Sequence, residues 1–208
     1  MRAIAFAVAV VAAAACASSD GALAQNGGQT VAAPSAGATR YVLDPAHTQI
    51  GFSIERFGFN NVLARFDNVN GEVLLDQARP ERSSVTATVR IADLSTGDAT
   101  RNEHVSGPRW LNAPQFPTME FRTTSVQVTG ESTATVVGDL TLLGQTHPLT
   151  LNVRLNRLGS APNNQLASAG FTATGTLSRA AWGSATAPQL IGDTVTFTIE
   201  ALGQAPAA

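Results

Sequence analysis

The sequence predicts an all-β domain of about eight antiparallel strands with one short helical insert. Apolar and polar residues alternate along most of the chain from Tyr41 onward, which is the period of a strand with one dry face. The alternating runs are rich in Thr, Val and Phe, and dipeptides that contain glycine separate them. Of the 208 residues, 44% are hydrophobic and 13% are charged, so the chain can bury a sizeable core.

The first clear strand places Ile50, Phe52 and Ile54 on one face. The runs at residues 85–92 and 149–156 alternate most regularly. Turns are predicted at Asn70-Gly71, Thr129-Gly130, Gly144-Gln145 and Gly192-Asp193. In chain order, the candidate strands are residues 50–55, 73–75, 85–92, 119–128, 136–142, 149–156, 171–177 and 195–199.

One segment, residues 98–112, breaks the alternation. Thr100 is a candidate helix cap with Glu103 three residues on, and a Pro and a bulky Trp110-Leu111 pair follow, which predicts a short helix and a turn. This insert either closes one end of a barrel or is a crossover that packs Trp110 and Phe116 beneath the sheet.

Even strands with one apolar face fit either a β-sandwich or a closed antiparallel barrel. Closure is favoured because every basic residue is Arg, and none of the lysines that commonly guard open edge strands is present. An eight-stranded barrel has a lumen that side chains fill or that holds one small ligand.

The first 24 residues have the pattern of a signal peptide. Arg2 precedes an apolar run at residues 3–15, and small residues at positions 22 and 24 form a cleavage site. The chain is therefore predicted to be periplasmic or secreted. Signal peptide 1–24 would be followed by a flexible leader at 25–39, the barrel at 40–203 and a C-terminal tail at 204–208.

Cys16 offers a less favoured alternative, in which it is lipidated as a membrane anchor. It is the only cysteine, so no intramolecular disulfide forms, and a catalytic thiol is excluded because Cys16 is either removed or acylated. No apolar run reaches the roughly 20 residues that cross a bilayer, so no integral membrane segment is predicted.

The charge and motif content argues against several functions. The formal charge of −2 argues against nucleic acid as a partner, and the absence of Lys excludes a Schiff-base or P-loop lysine. There is no GxSxG elbow or triad spacing, and His47, His104 and His147 lie in separate blocks that match no metal motif. No catalytic residue, metal or cofactor is predicted.

Several blocks resemble the YceI-like family of periplasmic lipid-binding proteins. They occur in the family's order over roughly residues 41–202 and include a late turn at Ser178-Arg179 with Trp182-Gly183. The other blocks are YVLDPAHT at 41–48, RFDNVNGEVLLD at 65–76, RNEHV at 101–105 and GDLTLLGQTHPL at 138–149.

The resemblance implies an extended eight-stranded antiparallel lipocalin-like barrel whose apolar lumen holds a long isoprenoid or fatty-acyl chain. The chain departs from the family pattern at Arg56-Phe57-Gly58, where a His is common, at Asn102, where an Asp is usual, and at Trp110-Leu111, where two Phe occur. These departures fall at the headgroup end of the expected pocket.

The predicted ligand-binding residues are the inward-facing set of the barrel with two polar additions. Arg56 continues the inward alternation and would bind a headgroup or form a salt bridge at the rim, with Glu103 or Asp139 as protein partners. His104 is placed in the pocket by the family pattern. The full set is Phe52, Ile54, Arg56, Phe66, Val89, Ile91, His104, Phe121, Leu140, Leu142, Leu151, Val153, Phe171 and Phe197.

The favoured function is an exported carrier or sequestering protein for a long apolar lipid, an isoprenoid quinone, polyprenyl or fatty-acyl chain. One alternative is an enzyme that acts on an amphipathic lipid with His104, Arg56 and Glu103. Another is a structural barrel whose core is filled by the same apolar side chains. The protein could also form a homodimer through one of its loop ends.

Overall fold

The computed structural model describes residues 37–206. The expected signal peptide, Cys16 and most of the leader lie outside the described residues, as do the last two residues of the tail. The described part contains eleven strand segments, one α-helix and short 3₁₀ helices at Pro80–Arg82, Ile91–Asp93 and Arg179–Trp182. The helix α1 spans Ala99–Ser106, and the strands are β1 Thr39–Leu43, β2 Gln49–Arg56, β3 Asn60–Phe66, β4 Asn70–Leu75, β5 Ser84–Arg90, β6 Leu94–Ser95, β7 Thr118–Val128, β8 Thr133–Leu142, β9 Gln145–Ser160, β10 Ala167–Ser178 and β11 Ile191–Gln204.

Six of these segments combine into three long bent strands, β1/β2, β3/β4 and β5/β6. The first two bent strands form one hairpin, in which Ile50 pairs with Phe66 and, beyond the bend, Thr39 pairs with Leu75. The third bent strand pairs with the second through β4–β5 and β3–β6. Residues 37–206 therefore contain eight long strands.

The eight strands close into an antiparallel barrel. Each strand pairs with the next along the chain, and β11 returns to the first bent strand through β1 and β2. At this seam, the buried Thr48 Oγ1 donates to the Leu202 carbonyl at 3.4 Å and accepts the Leu202 N–H at 3.2 Å. The predicted eight-stranded barrel with one helical insert is confirmed, and the sandwich alternative is not observed.

The bend between β3 and β4 explains why Asn70-Gly71 does not form the predicted turn. Gly71 has φ +155 inside a paired strand, and a Cβ there would lie 2.9 Å from the Ala87 Cα, so only glycine fits. The turn predicted at Gly192-Asp193 is also wrong. Both residues lie within β11, and residues 179–190 form the connection from β10. A hairpin turn forms one residue before the predicted Gly144-Gln145: Leu143 and Gly144 make it with φ values of 53 and 73, and Gln145 already lies in β9.

The helix of the insert begins two residues earlier than the candidate cap Thr100 predicts. Asp98 is the N-cap, and its Oδ1 accepts the Arg101 N–H at 2.7 Å, whereas Thr100 lies inside α1. The helix is tied to the preceding strand because the Asn102 Oδ1 accepts hydrogen bonds from the Thr96 N–H at 2.8 Å and from its hydroxyl at 2.7 Å. Asn102, one of the departures from the family pattern, therefore has a structural role here.

Asp44 and His47 form a pair in the bend between β1 and β2. The Asp44 Oδ2 lies 2.6 Å from the His47 Nδ1, and this hydrogen bond, with a second one from the Ala46 N–H, holds the pKa of Asp44 below its ordinary value of 3.8. Since the folded pKa is depressed, the pair stabilises the fold above pH 3.8, and this contribution is lost as the pH falls through the folded pKa.

We expect His47→Ala to move the pKa of Asp44 back toward its ordinary value. The largest cause of the depression is the His47 hydrogen bond, and the Ala46 N–H would remain. An NMR titration of the Asp44 carboxyl carbon measures the change, with His147→Ala as the control because His147 does not contact Asp44. An unchanged Asp44 titration in His47→Ala would mean that the pair is absent in solution.

Candidate functional site

A cavity of about 940 Å³ runs along the barrel lumen. All eight long strands contribute to its wall, which is almost entirely apolar, so side chains do not fill the lumen. The volume lies near the upper end of the range of about 300–1,000 Å³ that is usual for ligand sites. The cavity reaches exposed residues at both ends of the barrel: Arg56, Phe57, Arg109 and Leu190 at one end, and Val128 and Glu131 at the other.

Thirteen of the fourteen predicted ligand-binding residues border this cavity. Ile91 is the exception: it is fully buried in a 3₁₀ helix, where its N–H donates to the Pro117 carbonyl at 2.9 Å. The 3₁₀ turn ends the alternation that carries Val85, Ala87 and Val89 to the inner wall, so the sequence expectation does not hold for Ile91. The thirteen are Phe52, Ile54, Arg56, Phe66, Val89, His104, Phe121, Leu140, Leu142, Leu151, Val153, Phe171 and Phe197.

Further wall residues lie in the same alternating strands. Extending the period of two along each strand would have identified them. Ile50, Met119, Val136, Leu149 and Ile199 are examples. Arg109 and Trp110 also border the cavity, but they lie in the insert after α1, where no period applies.

Small residues leave the lumen open. The Phe197 ring lies against Gly175, where a Cβ would come within 2.6 Å of the ring, and the Phe121 ring lies against Gly138 in the same way. Both rings therefore rest on a neighbouring strand, which is how an aromatic side chain compensates for a strand glycine. Ala173, also on the wall, adds little volume of its own.

The end of the cavity below the helical insert carries the positive charge of the wall. Arg56 stacks over the Phe57 ring at 3.9 Å, and among residues 37–206 it makes no ion pair, so neither Glu103 nor Asp139 is its partner. Arg109 also has no ion pair in this part of the chain. Of the wall residues in the described range, Glu131 at the opposite end is the one carboxylate.

Trp110 adds an unused hydrogen-bond donor at the cationic end. Its indole Nε1 is buried and has no hydrogen-bond partner among the described residues. The ring contacts His104 edge-on at a centroid distance of 6.0 Å, and the Arg179 guanidinium lies 5.7 Å from its centre. A buried N–H without an acceptor is unfavourable, so an acceptor on a ligand would stabilise this end.

Arg179 fixes the connection between β10 and β11 at the same end. Its guanidinium is buried and donates to three carbonyls, those of Ser184 at 2.5 Å and of Ile191 and Gly192 at 2.9 Å. Burial lowers the pKa of Arg179, and the nearby Asp193 carboxylate opposes this effect. Three of its five N–H donors are therefore bound to backbone carbonyls, which fixes Arg179 in the cavity wall.

The three histidines occupy separate places. His47 pairs with Asp44, His104 borders the cavity, and His147 packs edge-on against Trp182 at 5.3 Å. Within residues 37–206, no group of three or more His, Cys, Asp or Glu side chains is arranged to hold a metal ion.

A sequence profile of the family described as the YceI-like domain matches residues 41–202. This chain belongs to the YceI-like family. Proteins named UPF0312 protein are similar to it: one from Pseudomonas savastanoi pv. phaseolicola is 35% identical over 142 residues, which cover 67% of this chain and 73% of the relative. Another, from Ectopseudomonas mendocina, is 35% identical over 153 residues, covering 73% of this chain and 76% of the relative.

Solved structures share the YceI-like fold at lower sequence identity. Burkholderia cenocepacia BcnA is 20% identical with a TM-score of 0.69, over 77% of this chain and 98% of BcnA. The Campylobacter jejuni YceI protein is 20% identical with a TM-score of 0.66, over 72% and 88% of the two chains. A polyisoprenoid binding domain from Saccharophagus degradans is 15% identical with a TM-score of 0.63, over 80% and 98%.

The YceI-like sequence blocks mark features that shape the barrel. The block at 65–76 contains the bend of the second long strand, and the late turn contains Arg179 and Trp182. The Trp182 Nε1 donates to the Leu140 carbonyl at 3.0 Å, which joins the late turn to the block at 138–149. These blocks therefore hold the wall and ends of the cavity in place.

Proposed function

We propose that this protein is an exported carrier or sequestering protein that encloses the chain of a long apolar lipid, an isoprenoid quinone, polyprenyl or fatty-acyl chain. The observation that carries the proposal is the apolar cavity of about 940 Å³ along the lumen. Further support comes from the Saccharophagus degradans domain of the same fold, which is described as binding polyisoprenoid.

Burial of the chain supplies the binding free energy. Each enclosed methylene contributes about 0.8 kcal/mol before the cost of association is subtracted. This term has no direction, so chains of different length can bind in the same lumen. The thirteen predicted residues that border the cavity, with neighbours such as Ile50 and Met119, would contact the chain.

The polar end of the lipid would lie below the helical insert. Arg56 and Arg109 supply guanidinium groups without an ion-pair partner in the described chain, and the Trp110 Nε1 supplies a donor without an acceptor. His104 lies at the same end. These groups favour a headgroup that accepts hydrogen bonds, such as a quinone carbonyl, a carboxylate or a phosphate.

The proposed place of action is the periplasm or the exterior of the cell, reached through the signal peptide at residues 1–24 or, less favoured, with a lipid anchor at Cys16. No helix within residues 37–206 is long and apolar enough to cross a membrane.

Native mass spectrometry of protein purified from its host's envelope tests the proposal. We expect a discrete added mass that organic extraction recovers as an intact prenyl or acyl lipid. A bare polypeptide mass that persists after quinones and fatty acids are offered would contradict the carrier function. Recovery of a chemically altered lipid would instead favour an enzyme.

A further inference from the structure

One end of the barrel exposes a group of large apolar side chains, which we call the Phe59 tip: residues 56–59 with Leu190. Phe59 is 89% exposed, Leu190 51% and Phe57 40%. The tip is held together by its backbone, because the Phe57 N–H donates to the Leu190 carbonyl at 2.7 Å and the Phe59 N–H to the Arg56 carbonyl at 3.1 Å. These side chains are therefore presented to solvent by an ordered turn.

The Phe59 tip adjoins the cationic end of the cavity. Phe57, Leu190, Arg56 and Arg109 are exposed and border the cavity at the same time. Scattered exposed apolar residues are normal, but several together at the rim of an apolar lumen mark an interaction surface.

The charges at the tip favour an anionic surface. Arg56 and Arg109 have no carboxylate partner within residues 37–206. The Oε1 of the nearby Glu55 accepts the Gly58 N–H and so closes the turn, and its negative charge offsets only one of the two arginines. The opposite end of the cavity has the reverse character, with Glu131 on its wall and no Arg.

The size and composition of the tip argue for a bilayer over a second copy of the chain. A stable protein interface buries about 800 Å² on each partner, which three side chains do not supply. Aromatic side chains flanked by Arg are typical of segments that sit in the headgroup region of a membrane. Each Arg near an anionic surface adds about 1 kcal/mol of attraction.

We infer that the Phe59 tip docks on an anionic lipid bilayer, with Phe57, Phe59 and Leu190 in the headgroup region and Arg56 and Arg109 against lipid phosphates. This placement brings the cationic end of the cavity to the membrane, so an acyl or prenyl chain can pass into the lumen without crossing water. The inference rests on the proposed lipid binding for its purpose, but docking and lipid loading are measured separately.

Vesicle co-sedimentation of the full-length gene product, purified from the envelope, tests the inference. All proteins carry Cys16→Ser, so no acyl chain at that position contributes. Vesicles are phosphatidylcholine alone or phosphatidylcholine with phosphatidylglycerol. Phe59→Ser is the main variant because Phe59 is exposed and does not border the cavity. Val42→Ser is the matched control: Val42 is 38% exposed in β1, away from the tip, and does not border the cavity either.

We expect Phe59→Ser to weaken binding to anionic vesicles about tenfold, as expected for loss of one buried aromatic side chain. Val42→Ser should stay within twofold of the parent, and Arg109→Gln should bind anionic vesicles about fivefold more weakly without a change on neutral ones. Equal binding of Phe59→Ser and parent would overturn the inference. The inference would also be overturned if analytical ultracentrifugation shows that the parent is a dimer and that Phe59→Ser dissociates it, because the tip would then serve self-association.

Lipid loading is read from the added mass in native spectra of the same samples. If the parent binds vesicles but no protein carries an added mass, the result contradicts the proposed carrier function and supports the docking surface. If every protein carries an added mass but the parent does not bind vesicles, the result contradicts the docking inference and supports the carrier function.

Discussion

Replacing Ala173 with tryptophan is expected to reduce the lipid recovered with the protein to less than about one tenth. Ala173 is 7% exposed, lies in β10 between Val153 and Ile199 on the adjacent strands, and borders the cavity. An indole in its place would project into the lumen and take the volume that the lipid chain needs. The ratio of loaded to bare protein in native mass spectra measures the loss.

The matched control is Thr174→Trp, the same ring on the outer face of the same strand. Thr174 is exposed, pairs with Thr198 and Asn152, and does not border the cavity. We expect this variant to retain the lipid of the parent protein. If Ala173→Trp retains it too, with an unchanged far-ultraviolet spectrum, the lipid does not occupy the lumen.

Arg179→Met is expected to lower the free energy of unfolding by about 3 kcal/mol or more, since a buried acceptor without its partner costs about 1–3 kcal/mol. The change removes the donors to the carbonyls of Ser184, Ile191 and Gly192. Urea unfolding followed by tryptophan fluorescence measures it, because Trp182 and Trp110 both lie close to Arg179.

Two further variants show whether geometry or charge matters at residue 179. Arg179→Lys keeps the charge but cannot reach three carbonyls in a fixed plane, so we expect it to recover only a minor part of the lost stability. Arg154→Met removes an exposed arginine of β9 and should change the stability by no more than about 0.5 kcal/mol. Full stability in Arg179→Lys would show that the three-carbonyl arrangement is unimportant.

The strands could be predicted because a strand with one dry face leaves a period of two in the sequence. The runs at 85–92 and 149–156 were predicted accurately, except that the first strand ends at Arg90. A 3₁₀ helix begins at Ile91 and ends the alternation there. The bends between β1 and β2 and between β3 and β4 were not predicted, since Asn70-Gly71 has the same composition as a hairpin turn. Local sequence does not distinguish a bend in one strand from a turn between two.

The site was harder to predict than the barrel. An inward apolar row has the same pattern whether it fills a core or lines a cavity, and the difference lies in how Phe121 and Phe197 rest on Gly138 and Gly175 of neighbouring strands. The unpartnered Nε1 of Trp110 likewise depends on three-dimensional surroundings. The alternation did not distinguish a filled core from a cavity, and the expectation of a cavity came from the family resemblance.

The seam between β11 and the first bent strand is the pairing that joins the two ends of the barrel sequence. Along residues 39–204, the other seven strand pairings join neighbours in the chain, so their loops are closed at small entropic cost. The hydrogen bonds between Thr48 and Leu202 join groups 154 residues apart. The loss of chain entropy on closing a long loop is therefore concentrated in a single pairing, and the meander can assemble from local hairpins before that pairing forms.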